Sequence, residues 1–566
     1  MRRLLAAGLS LAALGGCGAL GRAAGAVARA VGDVAPPGPL PRTRAERTQY
    51  RETSSHADVV AFLDSLQAAG LPITLGTLGA SPGGRDIPLA VLSRPLVRTP
   101  AEARRLGRPI VLVQANIHAG EVEGKEALLA LLRDVLAAPG ANVLDSLVLV
   151  AVPIYNADGN EQLGPQSRNR SEQNGPELVG VRANGQGLDL NRDYVKVEAP
   201  ETRGALAALT AWDPDVFVDL HTTDGSFHGY ALTYAPPLAP VGDAARFTRD
   251  SLLPALRERM RARHRLETFD YGNFDGGPGS YGGSGASAGA TADSAIRAWG
   301  TYDHRPRFGT NYVGLRGRVA ILSEAFSHDP FDRRVASTYA FVREILSLAV
   351  ERGTSLARLS RAAAAGLAPG DSVAVRSRLT TRPLRLPVIA EDIERTGDSA
   401  LSEPGVPRGL RRSGRYRTLQ LAVYDRFQPE LTVAAPAAYL LADGSGDVVR
   451  MLRTHGVVVE RLVERAEADV EAFVVDSIER SQRPFQGHLE ERVIGRWRRS
   501  RRTLERGTAV VPLGQSLAPL AVYLLEPESD DGLATWNLLD ASLRRGAEFP
   551  VARLASMPRG PRRLVP

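Results

Sequence analysis

At 566 residues the chain is longer than one hydrophobic core usually organises, so two folded units with short terminal extensions are expected. Hydrophobic residues make up 43% and charged residues 23%, which excludes a disordered or collagen-like chain. The net charge of +7 is almost wholly arginine, lysine occurring only at Lys125 and Lys196; the arginines are scattered along the chain, so no nucleic-acid partner is implied.

Arg2 and Arg3 precede an apolar stretch, Leu4 to Leu14, that is too short to cross a bilayer as a permanent helix and reads as an export signal. Leu14-Gly15-Gly16-Cys17 looks like a bacterial lipobox, and Cys17 is the only cysteine. Cleavage before it leaves a thiol and an amine for acyl chains, a membrane anchor on an exported protein at the periplasmic or cell surface. The alternative is a soluble secreted protein with an incidental cysteine. Residues 1–17 are thus expected to be the signal and 18–48, rich in Ala, Gly and Pro, a flexible tether.

Folded structure is expected from about Gln49. Val59, Val60, Phe62, Leu63 and Leu66 recur at helical spacing, and Ile73–Leu78 and Ile87–Leu92 read as a hairpin. Pro109–Asn116, Lys125–Leu136 and Leu147–Val152 then read as strand, helix and strand, the pattern of an α/β sheet with crossover helices. Ala205–Trp212 and Arg334–Val350 read as helices, Val216–Leu220 and Val319–Leu322 as strands, and Tyr271–Ala290 as a mobile loop. The small residues of Ala362–Asp371 mark a boundary between a first domain, 49–362, and a smaller strand-rich α+β accessory domain, 371–566. Within the latter, Ala437–Leu441, Val448–Arg453 and Val457–Leu462 suggest strand, helix and strand, and the dense run Arg496–Arg502 reads as a solvated helix face.

Three H-x-x-E spacings occur, at His118/Glu121, His264/Glu267 and His488/Glu491. Only His118 follows an apolar strand and sits in a glycine-containing turn; the other two lie in arginine-rich polar sequence and read as surface pairs. His221 ends the strand Val216–Leu220, and side chains at the carboxyl ends of strands gather around a common site. Two imidazoles and one carboxylate leave a coordination position open, as a catalytic zinc requires. Glu324, at the end of Val319–Leu322, is placed to serve as the base.

In chain order the sequence contains Gly84-Arg85, His118-Ala119-Gly120-Glu121, Asn156-Ala157-Asp158-Gly159, Asp189-Leu190-Asn191-Arg192, Asp219-Leu220-His221 and Ser323-Glu324. Over roughly residues 50–350 this set resembles the zinc metallocarboxypeptidases. The resemblance implies a mixed central sheet flanked by helices and one zinc ion held by His118, Glu121 and His221. It also implies that Asn191 and Arg192 grip a substrate carboxylate and that Asp189 accepts the second ring N–H of His118. Arg170 is implied beside the reacting carbonyl, with Arg168 as the other candidate in Gln166–Pro176, and Tyr302 as a substrate-binding tyrosine, with Tyr312 as its rival. Asp303, His304, Arg305 and Arg307 are candidate linings of the specificity pocket.

The expected activity is hydrolysis of an amide next to a free carboxylate, on peptides. An N-acyl amino acid deacylase acting on acyl-amino acids is the first alternative, and a catalytically silent exported binding lipoprotein the second.

Overall fold

The computed structural model describes residues 40–239, 242–274, 296–397, 403–442 and 445–565. The expected signal, Cys17, most of the tether and most of the glycine-rich stretch after Phe274 lie outside these residues. Order begins earlier than Gln49. Arg44–Arg47 is a helical turn closed by a Thr43/Glu46 capping box, and Ala45 is buried against Val122 and Phe331. The capping signature is local, and it was hidden by the small-residue composition just upstream.

The central sheet has eight strands. In chain order they are β1 (Ile73–Ala80), β2 (Asp86–Leu92), β3 (Ile110–Ala115), β4 (Val148–Val152), β5 (Val216–Thr222), β6 (Leu232–Ala235), β7 (Thr268–Asp270) and β8 (Val319–Ala325). Their spatial order is β1-β2-β4-β3-β5-β8-β6-β7. The core strands β4, β3, β5 and β8 pair in parallel, with β1 and β2 antiparallel at one side and β6 antiparallel to β8. It is the mixed sheet the resemblance implied.

Strand residues alternate between two cores, as a period of two dictates. Val111, Val113, Val216, Val218, Val319 and Ile321 face helices α1 (His56–Ala68), α2 (Glu123–Ala137), α4 (Leu253–His264) and α5 (Phe331–Glu351). Leu112, Val150, Phe217 and Ala320 face α3 (Pro200–Trp212), and that cluster runs on into Val373, Leu441, Leu520 and Trp536. The C-terminal half therefore covers one face of the central sheet, and Pro41–Pro566 forms a single compact unit.

Beyond Ala364 the chain is mainly strand. β9 (Ser372–Thr381) and β10 (Leu386–Arg395) both pair with the long β11 (Leu410–Ala434), and β12 (Ala466–Arg480) pairs with β13 (Glu491–Leu504). The Arg496–Arg502 run is part of β13 and not a helix. Its arginines meet acids on neighbouring strands: Arg496 pairs with Asp476, Arg499 with Glu471 and Arg502 with Glu548. Cross-strand pairing decided the conformation where the run itself carried no apolar period.

Both lysines are buried. Lys125 donates to Ser54 O and Asn160 Oδ1, and Lys196 pairs with Asp193 at 3.1 Å. No helix among the described residues is long and apolar enough to cross a membrane.

Candidate active site

β3 stops at Ala115, and Asn116 follows with φ of +62°, a left-handed conformation that asparagine tolerates. The amide of Asn116 donates to Ala119 O and Glu121 O, and Glu121 N–H donates to His118 O, closing the turn that carries both side chains. Gly120 has to be a glycine here: a Cβ would sit 2.8 Å from Cγ of Arg170 and 3.0 Å from Gly180 O. β5 brings in His221 from the carboxyl end of the adjacent strand. β8 brings in Glu324 directly opposite His221 in the parallel register.

His118, Glu121 and His221, all buried, offer ligand atoms within 4.8 Å of one another. His118 Nδ1 lies 2.9 Å from Glu121 Oε1, His221 Nδ1 lies 3.0 Å from Glu121 Oε2, and the two Nδ1 atoms are 3.2 Å apart. Two imidazole nitrogens and a carboxylate turned inward on one point are the donor set of a zinc ion with a position left open, so these residues fit that metal.

The outer nitrogens are held by acids. His118 Nε2 lies 3.1 Å from Asp189 Oδ1, and His221 Nε2 lies 3.0 Å from Asp219 Oδ2. The Asp189 bond fixes which ring nitrogen of His118 faces the metal position and strengthens it as a ligand, while Asp219 stands beside His221 as its charge partner.

The charges are strongly perturbed. Burial would raise Glu121, but attraction from His118 and Arg170 and hydrogen bonds from both histidines hold it well below the carboxylate range. Burial likewise opposes Asp189, which Arg182, His118 and Arg192 pull well below its ordinary value. His221 is held well above the usual imidazole value by Asp219 and Glu121, against the cost of burial. Glu324 moves the other way: burial, reinforced by Glu121 and Asp224, raises it well above the carboxylate range against the pull of His221 and Arg170. A buried, proton-avid carboxyl beside a metal set is suited to proton transfer.

His118, Glu121, Arg170, Asp189, Asn191, Arg192, His221, Tyr302 and Glu324 all line one cleft of about 1060 Å³. Arg170 lies 3.2 Å from Glu121 Oε1 and 3.0 Å from Glu172, and donates to Thr222 O and Thr223 O. Its buried Nε has no partner among the described residues. Arg168 lines the cleft but is exposed, and among the described residues its one side-chain hydrogen bond is to its neighbour Asn169.

Asn191 Oδ1 accepts Gly309 N–H at 2.9 Å. The Arg192 guanidinium lies 3.9 Å over the Phe308 ring and donates to Asn191 O. Among the described residues it has no carboxylate within ion-pair distance.

Of the two tyrosines, Tyr302 lies in the cleft, packed on Tyr271 and Phe308. Tyr312 is fully buried with its hydroxyl 2.8 Å from His455 Nδ1, away from the cleft. Asp303, Arg305 and Arg307 line the cleft, whereas His304 turns away to Asp530.

The two other H-x-x-E spacings are not metal sites. His264 pairs with Glu344. His488 pairs with the exposed Glu198 while Glu491 is buried against Arg480, so of this second pair only His488 lies toward the surface.

Three contributors were not assigned from sequence. Arg182 lies 2.9 Å from Asp189 Oδ2 and 3.6 Å from Glu121, and nothing in its spacing distinguishes it from other arginines. Asp219 stands two residues before His221 on the same strand face, a signal that period two offered. Gln486, from the C-terminal half, accepts Asp189 N–H at 3.0 Å.

A family model described as zinc carboxypeptidase matches residues 59–235, a span that ends before Glu324. Carboxypeptidase 2 of Trichophyton tonsurans is 24% identical over 462 residues, 78% of this chain and 76% of the relative. Carboxypeptidase 2 of Trichophyton rubrum is 23% identical over 461 residues, with the same coverage of 78% and 76%. Among solved structures, a metallo-carboxypeptidase from Burkholderia cenocepacia aligns over 53% of this chain and 70% of its own, at 20% identity and a TM-score of 0.37.

Proposed function

We propose that the chain, whose residues 59–235 match a family model described as zinc carboxypeptidase, is a zinc metallocarboxypeptidase that releases the C-terminal residue of a peptide, with one zinc ion per chain. The observation that carries this reading is the convergence of His118, Glu121 and His221 on one point, with Glu324 brought opposite His221 by strand register. When bound, zinc supplies Lewis acidity toward a carbonyl and a water and, as a dication, draws Glu324 back toward its ionised form.

Glu324 takes a proton from the attacking water as its oxygen bonds to the scissile carbonyl carbon. The carbon–nitrogen bond then breaks, and Glu324 passes that proton to the departing amine. Arg170 stabilises charge developing on the carbonyl oxygen. Arg192, whose guanidinium has no protein carboxylate, takes the terminal carboxylate with Asn191 beside it. Tyr302 closes the cleft next to Phe308. Asp189, Asp219 and Arg182 hold the ligands in orientation.

Glu324→Gln is expected to bind zinc as the parent does and to lose about 10²- to 10⁴-fold in turnover. Retention of a tenth of the activity would overturn the role of Glu324. Blocked dipeptides compared with acyl-amino acids separate the peptidase from a deacylase.

The apolar run after Arg2-Arg3 and the Leu14–Cys17 sequence support export with a lipid anchor on Cys17. Cys17→Ser is expected to move the protein from the membrane fraction to the soluble one.

A further inference from the structure

Two loops of the C-terminal half wall the cleft: Gly405–Arg408 and Ser481–Glu490. The first is pressed onto the stretch that carries Arg170, since a Cβ on Gly405 would meet Glu172 O at 2.8 Å. The second is clasped to the stretch that carries Asn191 and Arg192. Gln486 accepts Asp189 N–H, His488 pairs with Glu198 at 2.8 Å, and Glu490 pairs with Arg307 at 2.5 Å. The loops thus brace the stretches that carry Arg170 and Arg192.

Eight arginines and seven carboxylic acids line the cleft, and their pairing is uneven. Glu121 and Glu172 are matched by Arg170, which reaches Asp224 only at 4.0 Å, Asp189 by Arg182, Asp303 by Arg305 and Glu490 by Arg307, and among the described residues Glu324 has no arginine within ion-pair distance. Among the described residues, Arg168, Arg192, Arg408 and Arg483 have no carboxylate within ion-pair distance. Arg192 is accounted for by the terminal carboxylate. Arg168, Arg408 and Arg483 are exposed and are left over. A divalent ion adds further positive charge, and a walled cleft concentrates such a field.

We propose that the cleft selects acidic peptides, with Arg168 and Arg408 meeting carboxylate side chains upstream of the scissile bond and Arg483 meeting that of the released residue. The proposal rests on the carboxypeptidase reading for the direction in which the peptide lies. It makes the C-terminal half a part of the substrate site. Exposed charge pairs are individually weak, so each arginine is expected to contribute about two- to fivefold and the cleft as a whole about tenfold.

The test uses the zinc-loaded full chain and four N-blocked tripeptides: all neutral, acidic at the penultimate position, acidic at the last position, and lysine at both. Cleavage is followed by amine release and binding by fluorescence anisotropy. The expected result is kcat/KM and affinity in the order acidic, neutral, basic, with the acidic advantage shrinking as ionic strength rises. Arg408→Glu is expected to collapse the ratio for the penultimate acid, and Arg483→Glu the ratio for the terminal one. Arg499→Glu, which changes net charge equally on the remote β13, leaves both ratios in place. Equal rates and affinities for acidic and basic peptides would overturn the proposal while leaving the hydrolase intact. Preferential binding of acidic peptides with no cleavage of any would sink the carboxypeptidase reading and support this one.

Discussion

Asp189→Asn isolates what the acids behind the ligands contribute, because it keeps the side-chain shape and removes one charge. The Asp189 carboxylate accepts three hydrogen bonds: from His118 Nε2 at 3.1 Å, from Asn191 N–H at 2.9 Å and from Arg182 Nε at 2.9 Å. An amide has one oxygen, so its NH2 must face either Arg182 or His118, donor against donor. Loss of such a partner behind a metal-binding histidine costs about 10- to 100-fold in metal affinity, about 1.4–2.7 kcal/mol. A competitive titration against a chromophoric chelator reads the zinc affinity directly. Peptide hydrolysis in a zinc buffer then shows whether raised free zinc restores turnover to within about tenfold of the parent. If the variant folds with the parent's melting temperature and binds zinc within twofold of it, the orientation argument fails.

Arg192→Met should raise KM for peptides with a free carboxylate by about 10- to 100-fold, the worth of a charge-assisted bond, and leave peptides with amidated ends unaffected; equal losses on both would show that Arg192 does not read the carboxylate. Prolonged dialysis against a chelator should abolish hydrolysis, with recovery on adding zinc; activity that survives metal removal would end the zinc mechanism. Burial pushes three histidines down, His228 to about 3, His328 to about 4 and His455 to about 3. Unfolding returns each to about 6.5, so the unfolded chain binds more protons in that window. Their stabilising contribution is therefore full above about pH 6.5 and is lost as the pH falls to about 4 for His328 and about 3 for His228 and His455. His455 bridges Tyr312 and Val195 O at 2.8 and 3.2 Å, and His455→Gln keeps an acceptor and a donor there without titrating. It should flatten the melting temperature against pH on the acid side, and an unchanged slope would refute the assignment.

The convergence of the candidate metal set was legible because it obeys two local rules. His118 and Glu121 share one turn at the end of an apolar strand, and His221 and Glu324 each close a strand of their own. The sheet that unites them was legible in the alternation of apolar runs with helices. Long-range partners left no such mark. Arg182 and Gln486 act through contacts with Asp189 that no local pattern encodes, and the loops at Arg408 and Arg483 reach the cleft from a region separated by more than eighty residues from Glu324. The Arg496–Arg502 run misled for the same reason, since its strand is imposed by pairing with β12. Sequence favours Tyr302 over Tyr312 only slightly, and packing against Phe308 or His455 is what separates them.

The rungs between β5 and β8 also bear on how this enzyme can change over time. His221 and Glu324 sit on facing rungs, so backbone pairing alone sets the gap between them. One residue added within Val319–Leu322 would turn the Glu324 carboxyl toward the helical layer, whereas lengthening the connections leaves the gap untouched. Evolution is thus free to remodel the cleft's rim, including the loops at Gly405 and Ser481, while the chemistry stays where the ladder puts it.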